Sequence, residues 1–180
     1  MAGPGFEGSV VLADGRVLEY WEGGDPAGPG MIFHPGTPAT RVFGRWGHDA
    51  AVAAGVRLVS VNRPGYGGST MITGEPSLLA VGRDTASLAA HLDLDQYAVF
   101  GSSGGAPFAV ATAIADPSAV CALGSVGGVG PWRLLDPPST NPEDRACLAL
   151  LDAGEVAGAW NCMHRTAEER LGALHPRRRR

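Results

Sequence analysis

Residues 96–110, Gln-Tyr-Ala-Val-Phe-Gly-Ser-Ser-Gly-Gly-Ala-Pro-Phe-Ala-Val, constrain the fold more than any other stretch of the chain. They open as an apolar, β-prone run and close as a helix-compatible one, and residues 101–105 between the two are all Gly or Ser. A strand that turns straight into a helix has no hairpin partner beyond the turn. The helix must carry the chain back along the sheet, so the strand that follows is parallel. Gly101 and Gly105 suit so tight a bend, where side chains would collide. Ser103 stands at its tip.

The rest of the chain fits the same architecture. Residues 9–13 and 17–21 are β-rich and flank Asp14-Gly15-Arg16, which predicts an antiparallel hairpin at the first edge of a sheet. Residues 31–34 predict a short buried strand entering a loop, Pro35-Gly-Thr-Pro38, and residues 44–54 predict a helix. The β-branched run 56–61 reads as a strand covered on both faces, broken by Asn62-Arg-Pro-Gly-Tyr-Gly-Gly-Ser69. Apolar residues recur at helical spacing between Glu75 and Leu94, with Pro76 and Ser77 placed for a helix start. A strand at 97–100, a helix at 105–115 stopped by Asp116-Pro117, and an apolar run at 119–126 complete the alternation. The expected fold class is α/β, with a mostly parallel, doubly wound sheet and an N-terminal antiparallel hairpin. The predicted domains are a core over 1–130 and a second part over 131–180: a proline-rich linker (131–142), two helical pieces (143–153 and 155–163) and a polar end from Thr166.

Composition excludes several function classes. The chain of 180 residues is 44% hydrophobic, and a chain of this size buries roughly 70% of its unfolded surface, so one main domain has a core. Cys121, Cys147 and Cys162 form no C-x-x-C pair and are odd in number, which indicates neither a disulfide framework nor a zinc site. The N-terminus has no basic region followed by an apolar run, and residues 97–115, though uncharged, are divided by Gly and Pro into pieces too short to span a bilayer. A cytoplasmic location without membrane contact is expected. With Arg177, Arg178, Arg179 and Arg180 set aside, ten basic residues face 18 acidic ones, a balance of −8 that disfavours nucleic acid. Lysine is absent, which excludes a phosphate-binding P-loop.

The chemistry suggested by the glycine turn follows from its register. Gly101, Ser103 and Gly105 make G-x-S-x-G, the pattern of a serine held in a strained strand-to-helix bend with its hydroxyl exposed. A serine becomes a useful nucleophile when a base takes its proton and N–H donors stabilise the developing oxyanion. The backbone N–H of Gly104 is one candidate donor, and Thr37, in the loop after residues 31–34, is the other. A dinucleotide site is the competing reading, but G-x-G-x-x-G set on Gly101 needs glycines where Ser103 and Ala106 stand. No cofactor and no metal is expected, and the partner is a small-molecule substrate.

Three stretches together resemble the α/β-hydrolase superfamily. His34-Pro-Gly-Thr-Pro-Ala-Thr40 is similar to its oxyanion loop, Asn62–Ser69 to the turn after its fourth strand, and Gly101-Ser-Ser-Gly-Gly105 to its nucleophile elbow. The resemblance covers about residues 6–130 and implies that His34 and Gly36 shape the oxyanion loop. It also implies that 131 onward is part of a helical cap. The function it implies is hydrolysis of an ester, amide or small peptide bond through an acyl-enzyme on Ser103. Such enzymes carry their acid and His after the cap, and here only His164 and His175 follow, neither after a strand. The alternative is therefore a catalytically incomplete, truncated member, or a protein that binds small molecules without turnover. In that case the 119–126 strand becomes an exposed edge open to self-association.

Other polar residues carry plainer expectations. His34 is expected to hydrogen-bond within its own loop, and His48 and His91 to lie on helix surfaces. Asp84 and Asp95 read as solvated helix-end charges, Asp136, Glu143 and Asp144 as helix N-terminal residues. Arg63 and Tyr66 read as fixing their own turn, and residues 177–180 as a solvated tail.

Overall fold

The computed structural model describes residues 5–74, 77–128, 130 and 142–174, with backbone alone at 143, 144 and 166–174. Six strands, β1 (Phe6–Val11), β2 (Val17–Gly24), β3 (Gly30–His34), β4 (Arg57–Val61), β5 (Tyr97–Ser102) and β6 (Val120–Val126), form one sheet in the order β1-β2-β4-β3-β5-β6. β1 and β2 are an antiparallel hairpin, and β2 pairs antiparallel with β4. The pairs β4–β3, β3–β5 and β5–β6 are parallel. The mostly parallel sheet and its leading hairpin are as expected from the sequence.

Helices α1 (His48–Ala54), α2 (Leu78–His91) and α3 (Ala106–Ala115) connect the parallel strands. The start of α2 is set by Ser77, whose hydroxyl accepts from Ala80 N at 3.1 Å. α1 ends on Gly55 in the left-handed conformation, φ +64. The 44–54 helix begins differently from expectation: a 3₁₀ helix, Arg41–Gly47, precedes α1. Glycines at 44 and 47 favour a short irregular start, and a Cβ on Gly44 would collide with Trp21 and Ser60 below it.

The sheet has two cores. On one face Ile32, Val59, Val61 and Tyr97 pack with Leu88, Ala89 and Leu92 of α2 and its end. On the other Trp21, Phe33 and Leu58 pack with Ala51 of α1. β6 ends the sheet order, with Leu123 and Val126 48% and 62% exposed.

Chain contacts divide the protein into Met1–Val129 and Gly130–Arg180. In the second unit α4 (Pro142–Asp152) packs on α5 (Val156–Leu174). α5 continues through the stretch that reads as a polar end, because residues 166–174 contain no Gly or Pro except Gly172 and are rich in helix formers. The linker to residue 141, Asp136, the side chains of Glu143 and Asp144, Glu75, Pro76, His175 and 176–180 lie outside what is described. Among the described residues no helix is long and apolar enough to cross a membrane, and no cluster of His, Cys, Asp and Glu is arranged to hold a metal ion.

Two expectations about surface charges are corrected. Asp84 is not at a helix end but in the middle of α2, buried, where Arg16 donates to both its oxygens at 2.6 and 2.7 Å. A bidentate guanidinium offsets the cost of burying the carboxylate. His48 is half-buried: its Nδ1 accepts from Gly24 N at 3.1 Å and its ring lies edge-on to Trp21.

Candidate active site

The site follows from the strand order. β3 connects through α1 to β4 on one side, while β5 connects through α3 to β6 on the other. Diverging connections leave a crevice beyond the carboxyl ends of β3 and β5, the place where open α/β sheets bind ligands. His34–Thr37 and Gly101–Gly105 both leave the sheet there, and His34 pairs with Gly101 in the ladder.

Ser103 follows β5 directly in the 3₁₀ turn Ser103–Gly105, which leads into α3. Its φ is +49, in the left-handed region that a side chain disfavours, at a cost on the order of 1–3 kcal/mol. The glycines make the bend possible by close approach. A Cβ on Gly101 would lie 2.6 Å from the Ala106 Cα, and one on Gly105 would overlap the His34 carbonyl oxygen. Ser103 itself is exposed.

The loop after β3 packs on this turn. A Cβ on Gly36 would stand 3.0 Å from the Ser103 Cβ and 3.6 Å from its Oγ. A Cβ on Gly104 would stand 2.8 Å from the Thr37 Oγ1 and 3.4 Å from the Thr37 N. Ser103, Gly104, Gly36 and Thr37 are thus neighbours, and the Thr37–Pro38 peptide is cis.

His34 is fully buried and does not bond within its own loop as expected; its Nε2 lies 3.1 Å from the Thr112 Oγ1 on α3. The Thr112 hydroxyl donates its one proton to the Phe108 carbonyl at 2.9 Å, so its oxygen accepts from Nε2–H. Nδ1 has no partner among the described residues. Burial first, and the Arg63 cation second, push the ring pKa down to about 3. His34 is a neutral strut between β3 and α3, too weakly basic to take a serine proton at neutral pH.

Among the described residues the Ser103 hydroxyl makes no hydrogen bond. His164 lies on α5 with its ring 5.3 Å from that of Trp160, in the other unit.

The frame of the site includes residues that the sequence reading treated as local. Arg63 does more than fix its own turn: Nη1 donates to the Thr37 Oγ1 at 2.8 Å and Nη2 to the Gly36 carbonyl at 3.2 Å. Glu19 and Arg41 had no role from sequence. The Glu19 Oε2 accepts from Asn62 Nδ2 (2.9 Å), Gly68 N (2.7 Å) and Arg41 Nη1 (2.6 Å). Asn62 in turn accepts from Arg41 N at 2.7 Å. A polar residue at the end of a buried strand was the one available signal for Asn62.

Neither a protein-family model nor a curated protein matches the chain. Solved structures do. A hydrolase from Pseudomonas aeruginosa superposes with a TM-score of 0.64 at 20% identity, over 81% of this chain and 52% of its own. The thioesterase domain from the curacin biosynthetic pathway gives 0.62 at 19% identity, over 82% and 53%. An epoxide hydrolase from Vigna radiata gives 0.60 at 20% identity, over 68% and 40%. The chain spans about half the length of these structures or less. Their names cover different reactions, so the likeness gives the fold and leaves the chemistry to the site.

Proposed function

We propose, from the premise that the chain has the α/β-hydrolase fold, that Ser103 is the nucleophile of a serine-type hydrolase acting on an ester, amide or small peptide bond. The observation that carries this reading is the φ of +49 at an exposed Ser103, against which the Gly36–Thr37 loop is packed. Left-handed backbone at a non-glycine residue in a cleft is strain kept where function needs it. Ser103 Oγ attacks the carbonyl carbon and gives up its proton to a base. The N–H groups of Gly104 and Thr37 donate to the oxyanion, the leaving group departs, and water clears the acyl-enzyme. The Thr37 N–H makes no other hydrogen bond among the described residues, which supports its assignment.

The second reading is a binding protein, or a catalytically incomplete one. It is favoured by the absence of any hydrogen bond to the Ser103 hydroxyl among the described residues. Loss of the base from such a site costs several powers of ten in rate while the oxyanion donors and pocket remain.

A fluorophosphonate probe separates the two. Rapid labelling that disappears in Ser103→Ala is the expected result for the hydrolase. Labelling no faster than that of an ordinary serine, or unchanged in the variant, would give the protein to the second reading.

A further inference from the structure

The turn after β4 buries a cation that has no counter-charge among the described residues. Arg63 is 7% exposed, and among the described residues no carboxylate pairs with it. Arg16 and Arg41, both partly buried, each hold two carboxylates, and Arg57, also partly buried, holds one. A charge taken out of water without a partner is costly. Only part of that cost is offset: the guanidinium lies 4.3 Å from the Tyr66 ring centroid and 5.6 Å from that of Phe108. Two of its five N–H groups go to Thr37 and Gly36, and the other three have no partner among the described residues.

Arg63, Tyr66 and Phe108 together line a cavity of about 320 Å³ whose other walls include Met71, Ile72, Leu78 and Val81. One cation in an apolar chamber suits a monoanion on a short apolar chain better than a strongly hydrated dianion. The chamber also abuts the oxyanion loop, since Arg63 bonds the Thr37 hydroxyl that faces Gly104.

We infer that this cavity is the acid-binding subsite of the protein, where Arg63 pairs with the free carboxylate of a short dicarboxylic acid monoester whose ester carbonyl lies at Ser103. The subsite rests on the Ser103 reading only for the position of the ester. A guanidinium fork meeting a carboxylate against apolar walls gives both charge and orientation.

Calorimetric titration with monomethyl glutarate, dimethyl glutarate and inorganic phosphate tests it on the wild-type chain, Ser103→Ala and Arg63→Gln. The monoester should bind saturably to wild type and Ser103→Ala, at least about tenfold more tightly than the neutral diester, and lose about tenfold or more in Arg63→Gln. Nuclear magnetic resonance of the wild type supplies the same answer if Arg63→Gln fails to fold: the Arg63 Nε–H signal should shift saturably with the monoester. No saturable binding to the folded wild type, equal binding by Arg63→Gln, an unmoved Arg63 signal, or phosphate binding as tightly as the monoester would each overturn the assignment. Binding without fluorophosphonate labelling defeats the nucleophile and leaves the subsite, and labelling without binding does the reverse.

Discussion

The turn after β5 and the turn after β4 are both rich in glycine and converge on Thr37, yet different forces hold them. In the first, close approach at glycines does the holding: Gly101 against the Ala106 backbone, Gly105 against the His34 carbonyl, Gly104 against the Thr37 hydroxyl and N–H. In the second, charged and amide side chains do the bracing. Asn62 donates to Glu19 and to the Tyr66 carbonyl, Glu19 also takes Gly68 N and Arg41, and Arg63 reaches across to Thr37. A turn held by van der Waals contact of backbone has nowhere to relax, whereas a polar brace can shift, rehydrate and be screened by salt. The proposed nucleophile sits on the rigid side, and the side that would select a charged ligand is the adjustable one.

The largest expected effect joins the two. His34 is buried by the rigid side and further depressed by Arg63 of the other. Between about 3 and the ordinary 6.5, the unfolded chain binds a proton that the folded chain refuses. The stabilisation is therefore complete above the unfolded value and is lost as pH falls through that window. Denaturant unfolding at about pH 7 and about pH 4 should differ by about 3 kcal/mol from this group alone. His34→Gln should show a correspondingly shallower dependence. If the variant keeps the wild-type slope, His34 is not a buried neutral strut.

Next come the two turns set directly against each other. Gly105→Ala drives a methyl into the His34 carbonyl, and overpacking against backbone should cost about 3 kcal/mol or more. That loss should be the same at low and high salt. Glu19→Gln removes a charge from an oxygen that accepts three N–H groups, but the side chain is 22% exposed, so the expected cost is about 1 kcal/mol after allowing for solvent. Its cost should shrink further in salt. Equal and equally salt-sensitive losses in thermal unfolding would dissolve the distinction.

The same distinction explains what the sequence discloses. The elbow is legible because its determinants are consecutive: Gly101, Ser103 and Gly105 fix the bend by local sterics, and the apolar run before them fixes the strand. The polar brace is not, because Glu19, Arg41 and Asn62 come from three separate segments and nothing in sequence says which acid meets which base. Asp84 and His48 read as surface groups for that reason, although Arg16 and Gly24 hold them. Arg63 looked local because its aromatic neighbour Tyr66 is local, while its bonds to Thr37 and Gly36 span 26 and 27 residues. The helical extent of α5 is hidden on a different ground: a polar composition reads as a loose end, although polar residues such as Glu and Arg are good helix formers.

The smallest effect on stability should be the most informative about function. Gly36 lies between the two turns, accepting from Arg63 through its carbonyl and facing Ser103 with its Cα hydrogens. A methyl there meets the Ser103 Cβ at 3.0 Å and the Ser102 carbonyl oxygen at 3.2 Å, close but short of the overlap at Gly105. Its backbone is outside the left-handed region, so Gly36→Ala gains from a less flexible unfolded chain what it loses in crowding, and unfolding should change by less than about 1 kcal/mol. Reactivity should respond far more. The methyl occupies the approach to Ser103 Oγ, 3.6 Å away, and a displacement on the order of 1 Å costs about 100-fold at a reacting centre. Fluorophosphonate labelling should slow by at least about tenfold while the melting curve barely moves. If labelling proceeds at the wild-type rate, substrate does not reach Ser103 past Gly36, and Thr37 loses its place as an oxyanion donor.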